Sequence, residues 1–237
     1  MIIYQPKSGY NYNSDSIFLY KFIRDFSPKG ELLDIGSGVG ILALLSARDF
    51  SVNVTVVEKQ KIMLNFLKRN FAINNLKADI VEGDFLEVNL SKKFDFIISN
   101  PPFYDSFVTQ SRDSIINIAR YNHHLPLDRF IKRAKALLKP RGWFIFCYDA
   151  KQSDRVFYHL RENKLVAQKI RYIHPKVERE AKTILVASRL NSKSLCKVLP
   201  PLVVFNSSSN YLSEAKEAFL LANTHSIKAE FEGEEYD

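Results

Sequence analysis

Short β-rich runs alternate with helix-spaced runs along the chain, and that rhythm constrains the fold more than any other feature. Residues 31–35, 52–57, 78–82, 94–99 and 142–148 read as strands, while 41–48, 60–72 and 127–138 carry apolar residues at helical spacing. Strand, helix and strand in repetition give a parallel sheet with helices on both faces. Beyond Tyr148 come a helix near 152–162 and strands near 165–172 and 182–188. The loop between these two strands offers no credible crossover helix, so they are expected to pair antiparallel at one edge. The expected fold is α/β and Rossmann-like, with a mostly parallel seven-stranded sheet and an antiparallel edge strand.

The flanks are shorter. Residues 1–30 precede the first expected strand and include an apolar helical stretch at 17–26, so they read as an N-terminal cap segment rather than a domain. Residues 31–190 form the main domain. Pro200-Pro201 and the Asn206 to Asn210 polar run mark loops, and a short helix is expected at 213–221. Residues 191–229 are then a C-terminal extension on the domain, and 230–237 an acidic disordered tail.

At 237 residues the chain can bury a sizeable core. The formal charge is +8, but the last eight residues hold five acids and no Lys or Arg; setting them aside raises it to +13 for residues 1–229. Between Arg161 and Lys197 ten Lys or Arg face three Glu. A basic body of this kind points to a polyanionic partner. Cys147 and Cys196 show no close metal spacing, and two cysteines make at most one bridge, which argues against a disulfide scaffold. The His123-His124 pair reads as solvated surface, so no metal is expected. No apolar run approaches a membrane span and no signal-peptide core is present, so the expectation is a cytoplasmic protein without a membrane partner, most simply a monomer.

Leu32-Leu33-Asp34-Ile35-Gly36-Ser37-Gly38-Val39-Gly40 completes the first expected strand and opens a helix. Its glycines fall at 36, 38 and 40; the dinucleotide fingerprint would place the last at 41, which is Ile41. Missing side chains permit a tight turn and let a ligand lie against the backbone. Asp34 suits an ammonium group or an ordered water, which fits the amino-acid end of S-adenosylmethionine better than a pyrophosphate. Glu58, with Lys59 after it, ends the second strand, where a carboxylate can accept ribose hydroxyls. Gly83-Asp84-Phe85 follows the third: Asp84 can accept from an adenine amino group while Phe85 packs on the base. Sites at successive strand ends form one crevice.

Asn100-Pro101-Pro102-Phe103 follows the 94–99 strand. Two prolines there also simply stop a strand, but the four residues have the chemistry to hold an amino group conjugated to a planar system. The Asn100 side-chain oxygen and the Pro101 carbonyl can accept its two N–H groups and aim the nitrogen lone pair at a methyl donor. Pro102 stiffens the turn, and Phe103 supplies a ring for stacking. Such placement can contribute about 7 to 11 kcal/mol of the barrier.

With these residues assembled, the chain resembles the tRNA(Val) adenine-37 N6-methyltransferase family, within the class I S-adenosylmethionine-dependent methyltransferases. The likeness runs over nearly the whole chain: Gly9-Tyr10, Asn13-Ser14-Asp15-Ser16-Ile17-Phe18-Leu19, the glycine loop, Asn70 to Leu76, the Asn-Pro-Pro-Phe motif, Ala119-Arg120, His174-Pro175, and Pro200-Pro201-Leu202-Val203-Val204-Phe205 with Tyr211 and Glu214. It implies a class I sheet, S-adenosylmethionine as cofactor, and RNA, most simply tRNA, as partner. It implies that Asp34, Gly36, Ser37, Gly38, Gly40, Glu58, Lys59, Asp84, Phe85 and Asn100 contact cofactor, that Asp15 helps close the pocket, and that Asn100 to Phe103 hold the amine. Arg120, Arg171, Lys176 and Arg179 are the expected phosphate contacts. One departure is Tyr121-Asn122, where the family often has His-Glu. An rRNA guanine-N2 methyltransferase, a protein-glutamine methyltransferase, a DNA adenine methyltransferase and a non-catalytic RNA-binding module remain open from the residues alone.

Overall fold

A computed structural model of the chain describes residues 1–8, 11–101 and 125–230. Gly9, Tyr10, Pro102, Phe103, Ala119, Arg120, Tyr121, Asn122, the His123-His124 pair and all but the first residue of the acidic tail lie outside the described residues.

The main sheet is laid down in the expected rhythm: β2 (Lys29–Ile35), α2 (Ile41–Asp49), β3 (Ser51–Glu58), α3 (Lys61–Ile73), β4 (Asp79–Glu82), β5 (Phe94–Ser99), α4 (Leu127–Leu137), β6 (Leu138–Asp149), α5 (Ser153–Glu162), β7 (Leu165–His174) and β8 (Thr183–Leu190). Two-residue strands β9 (Lys197–Val198) and β10 (Leu202–Val203) extend it, in the order β10-β7-β8-β6-β5-β2-β3-β4 with β9 also on β7. The pairings of β2 with β3, β2 with β5, β3 with β4 and β5 with β6 are all parallel.

Each strand feeds two cores because successive side chains leave opposite faces. Leu32, Ile98 and Ile145 point to one, and Leu33, Ile97 and Phe144 to the other. The first core is closed by α2, α3, the N-terminal helix α1 (Ser14–Arg24) and the C-terminal helix α6 (Ser213–Ala222); the second by α4 and α5. A sheet covered on both faces reads as near-continuous apolar runs, as in Val54, Val56 and Val57 of β3.

Three features differ from expectation. β7 and β8 do pair antiparallel, but β8 inserts between β6 and β7, so the antiparallel strand is internal and β7 runs parallel to the rest. The reason is burial: Thr183 to Ser188 are buried without a break, as a strand with neighbours on both sides requires, whereas β7 is only part-buried. Helix α1 begins at Ser14 because the Asn13 side chain accepts the Asp15 N–H at 3.0 Å and caps it, three residues before the apolar run. A strand β1 (Ile2–Pro6) precedes the main sheet and pairs in parallel with β11 (His225–Ala229), joining the two ends of the chain. Asn70 of α3 ties β1 down, donating to the Tyr4 and Val39 carbonyls and accepting the Tyr4 N–H at 2.7 Å.

The carboxyl ends of the parallel strands all open on one edge of the sheet. The start of β8 lies at the same edge because it runs the other way, and the N-terminus of α1 reaches it where Ser16 meets Asn100.

Candidate active site

The turn after β2 is built on left-handed backbone, with φ of +64° at Gly36, +56° at Gly38 and +90° at Gly40. A Cβ at Gly36 or Gly38 would meet nothing within 4 Å, which leaves the backbone open to a ligand, whereas one at Gly40 would run into the Leu67 side chain of α3. Asp34, 1 % exposed, anchors the turn: its Oδ2 accepts from the Ser37 hydroxyl at 2.9 Å and from the Ala43 N–H at 3.2 Å. Its Oδ1 is buried with no partner among the described residues. Burial pushes the carboxyl up to about 7, against the pull of those two hydrogen bonds, and the Glu58 charge adds to the rise.

A small cavity of about 30 Å³ is lined by Tyr12, Ser16, Asp34, the 36–39 turn, Ile41, Leu42 and Asn100. It therefore brings Asp34, Gly36, Ser37, Gly38 and Asn100 together, with Gly40 holding the turn from behind.

The remaining expected residues sit further along the strand ends. Glu58 is buried, and three backbone N–H groups use its carboxylate: Gly38 donates to Oε2 at 2.8 Å, Lys59 and Gln60 to Oε1 at 2.9 Å each. Burial nonetheless raises its carboxyl above the ordinary range. Of about four acceptor positions on a carboxylate, one remains, on Oε2. Lys59 meets Asp84 at 3.6 Å, and Asp84 Oδ1 accepts the Leu86 N–H at 2.8 Å, closing the turn after β4. The stacking role expected of Phe85 is corrected. Its ring is 4 % exposed, edge-on to Phe130 and under the Arg133 guanidinium, so it belongs to the second core.

Asn100 leaves β5 at the sheet edge, where the Ser99 hydroxyl ties the strand end to the Ile35 carbonyl at 2.8 Å. Its side-chain amide is held at both ends: Nδ2 donates to Ser16 Oγ at 2.9 Å, and Oδ1 accepts from the Cys147 thiol at 2.9 Å. Pro101 is buried beside it. Asp15 is turned away from the cavity, accepting from Asn13 at 3.1 Å and from the Thr183 hydroxyl of β8 at 3.2 Å. Burial raises its carboxyl, opposed by the nearby Lys182 charge and those hydrogen bonds.

Of the expected phosphate contacts, Arg171 is corrected. Its guanidinium forks onto Glu214 at 2.6 and 2.7 Å and donates to the Pro200 carbonyl at 2.9 Å, so it fastens α6 and the 200–201 loop to β7. Lys176 donates to the Ser207 carbonyl at 2.9 Å. Arg179 is exposed on the loop after β7, where its carbonyl accepts from His174 Nδ1 at 2.8 Å.

The sequence reading missed Tyr12, Ser16, Cys147 and Thr183. Tyr12 lines the cavity, and its hydroxyl lies 3.2 Å from both Thr224 and Ser226, so the C-terminal strand steadies a wall of the site. Tyr12 and Ser16 flank the Asn13-Ser14-Asp15 run and could have been found there. Nothing in the apolar β6 run distinguishes Cys147.

A doubly covered, mostly parallel sheet with a glycine turn and an asparagine at adjacent strand ends is the fold of the class I methyltransferases. Residues 13–173 match the family model described as "Methyltransferase small domain", and the chain belongs to that family. Among its sequence relatives are proteins named tRNA1(Val) (adenine(37)-N6)-methyltransferase, the family expected from the sequence motifs. The one from Aliivibrio fischeri is 31 % identical over 50 % of this chain and 51 % of its own length. That from Porphyromonas gingivalis is 30 % identical over 65 % and 63 %, and that from Actinobacillus pleuropneumoniae serotype 5b is 26 % identical over 91 % of each. The chain thus spans between half and two thirds of the first two relatives' length. Solved structures share the fold. One described as a predicted O-methyltransferase from Agrobacterium tumefaciens superposes with a TM-score of 0.69 at 16 % identity, over 91 % of this chain and all of that one. The T. thermophilus 16S rRNA N2 G1207 methyltransferase, in complex with AdoMet and guanosine, gives 0.55 at 21 % identity over 78 % of this chain and 45 % of that one.

Proposed function

We propose that this chain transfers a methyl group from S-adenosylmethionine to N6 of an adenine in RNA, with adenine 37 of a tRNA anticodon loop as the target. The observation that carries the reading is the shared cavity: the unpartnered Asp34 Oδ1 and the Asn100 amide face one space. Asp34 fits the ammonium of the methionine moiety, because a cation beside it supplies the partner that Oδ1 lacks and relieves the penalty of burying its charge. The open backbone at Gly36 and Gly38 suits a ligand lying flat on the turn, and the free position on Glu58 Oε2 suits one ribose hydroxyl. Bound there, S-adenosylmethionine supplies an electrophilic methyl on a sulfonium that departs as a neutral thioether.

The chain's own part is placement. An aromatic amine is a poor nucleophile because its lone pair is delocalised into the ring. Asn100 Oδ1 and the Pro101 carbonyl accept its two N–H groups, favour a pyramidal nitrogen, and stabilise the positive charge that develops there. The amine then loses a proton readily to water. The tRNA target is supported by the relatives' names and by the basic stretch between Arg161 and Lys197; Arg120, Lys176 and Arg179 are the phosphate contacts retained in this reading.

The direct test is transfer of labelled methyl to bulk tRNA, followed by nucleoside analysis. Labelled N6-methyladenosine is expected. Labelled 2-methylguanosine would assign the amine to guanine, and no incorporation into any RNA would remove the reading.

A further inference from the structure

An asparagine side chain is nearly symmetric in shape and opposite in chemistry at its two ends. With the oxygen toward the target amine it accepts; turned over, it sets an NH2 against an NH2 and repels. Something in the fold must decide between the two orientations. Ser16 contacts Nδ2, but a hydroxyl can donate or accept and so tolerates either. Cys147 does not: a thiol is a usable donor and a poor acceptor for an amide NH2, so its contact at 2.9 Å is favourable only with the oxygen on its side. Cys147 is completely buried in β6, and Ser16 is 3 % exposed at the start of α1, so neither contact is easily replaced by water.

We propose that Cys147 is a positioning residue for methyl transfer, orienting the Asn100 amide, which Ser16 holds at its other end, so that its oxygen, and not its NH2, is presented to the substrate amine. The inference rests on the acceptor role given to Asn100 above. A carbonyl oxygen has two lone pairs, so the thiol occupies one and leaves the other for the substrate. A weak donor also withdraws little electron density from an oxygen that must stabilise a developing ammonium. Burial, reinforced by the neighbouring Asp15 carboxylate, pushes the Cys147 thiol well up, which keeps the proton on sulfur at neutral pH. Asp15 is itself fixed by Asn13 and Thr183, so the start of α1, the end of β5, β6 and the start of β8 meet around this one amide.

The test uses the full chain with bulk tRNA as acceptor. Cys147→Ala is expected to lower kcat roughly tenfold to a hundredfold while S-adenosylhomocysteine affinity, measured by calorimetry, stays within about twofold. Cys147→Ser, which restores a donor but whose hydroxyl also accepts, is expected to recover kcat part of the way, above the alanine variant and below the parent. If the alanine and serine variants are equally active, whether both impaired or both unimpaired, the thiol only fills space and the inference is overturned. Should Cys147→Ala fail to fold, Cys147→Val, which is close to the thiol in volume and has no donor, carries the test: kcat equal to that of Cys147→Ser refutes the lock. Asn100→Ala separates the two levels. Full transfer in that variant removes the acceptor role of Asn100, whereas lost transfer there with unimpaired Cys147→Ala removes the lock alone. A readout independent of substrate is the Raman S–H stretch in a Cys196→Ser background. It should lie at a hydrogen-bonded frequency and rise in Asn100→Ala; a band that does not move overturns the contact.

Discussion

Replacing Asp34 with asparagine should make the protein more stable and a worse binder of cofactor. The carboxyl is displaced from 3.8 to about 7, which at about 1.36 kcal/mol per pKa unit makes the folded state carry on the order of 4 kcal/mol for holding this charge at pH 8. Asparagine keeps the shape and one acceptor for Ser37 and Ala43 but sets an unpaired NH2 where Oδ1 was, which costs about 1 to 2 kcal/mol. The net gain is about 2 to 3 kcal/mol, or roughly 5 to 10 °C in Tm for a chain of this size. The folded-state pKa lies above the unfolded value, so the parent takes up a proton on folding between about pH 4 and 7. Its stability therefore falls as pH rises through that window and levels off above it, and Asp34→Asn should flatten this slope. Binding runs the other way. An ammonium ligand needs the ionised carboxylate, so S-adenosylhomocysteine affinity should rise with pH up to about 7, and the variant should bind about tenfold to a hundredfold more weakly at pH 8. Thermal melts across pH with and without S-adenosylhomocysteine, paired with calorimetry, measure both. A variant that melts at or below the parent without ligand, or binds as tightly, refutes the assignment of Asp34 as a strained partner waiting for a cation.

Gly40→Ala should destabilise by about 2 kcal/mol or more, since the residue sits at φ +90° and its Cβ would strike Leu67; a denaturant midpoint equal to the parent's would contradict this. Tyr12→Phe, which frees the ring from Thr224 and Ser226, should weaken S-adenosylhomocysteine binding severalfold with little change in Tm, and calorimetry would expose an unaffected site. Arg171→Ala should lower stability by about 1 to 2 kcal/mol and leave the salt dependence of tRNA binding intact, because its guanidinium is spent on Glu214 and Pro200. Arg179→Ala should do the opposite, reducing the log–log salt slope by roughly one with no change in Tm. Exchanged outcomes for these two arginines would overturn the division between them.

The alternation of apolar runs determined the fold class, because period-2 and period-3.6 patterns record which faces are buried. The glycine turn, Asp34 and Asn100 were legible for a related reason: each answers a local demand at a strand end, a backbone angle or a side-chain acceptor, that few residue types meet. What the sequence could not carry was contact between distant segments. Arg171 reads as a phosphate contact until Glu214 arrives from 43 residues away, and Phe85 as a ring for the base until α4 covers it. The internal place of β8 and the pairing of β1 with β11 depend on hydrogen bonds between partners remote along the chain. Cys147 is the sharpest case: within β6 it is one apolar residue among several, and only the packing of α1 and β5 against that strand gives its proton an asparagine to orient.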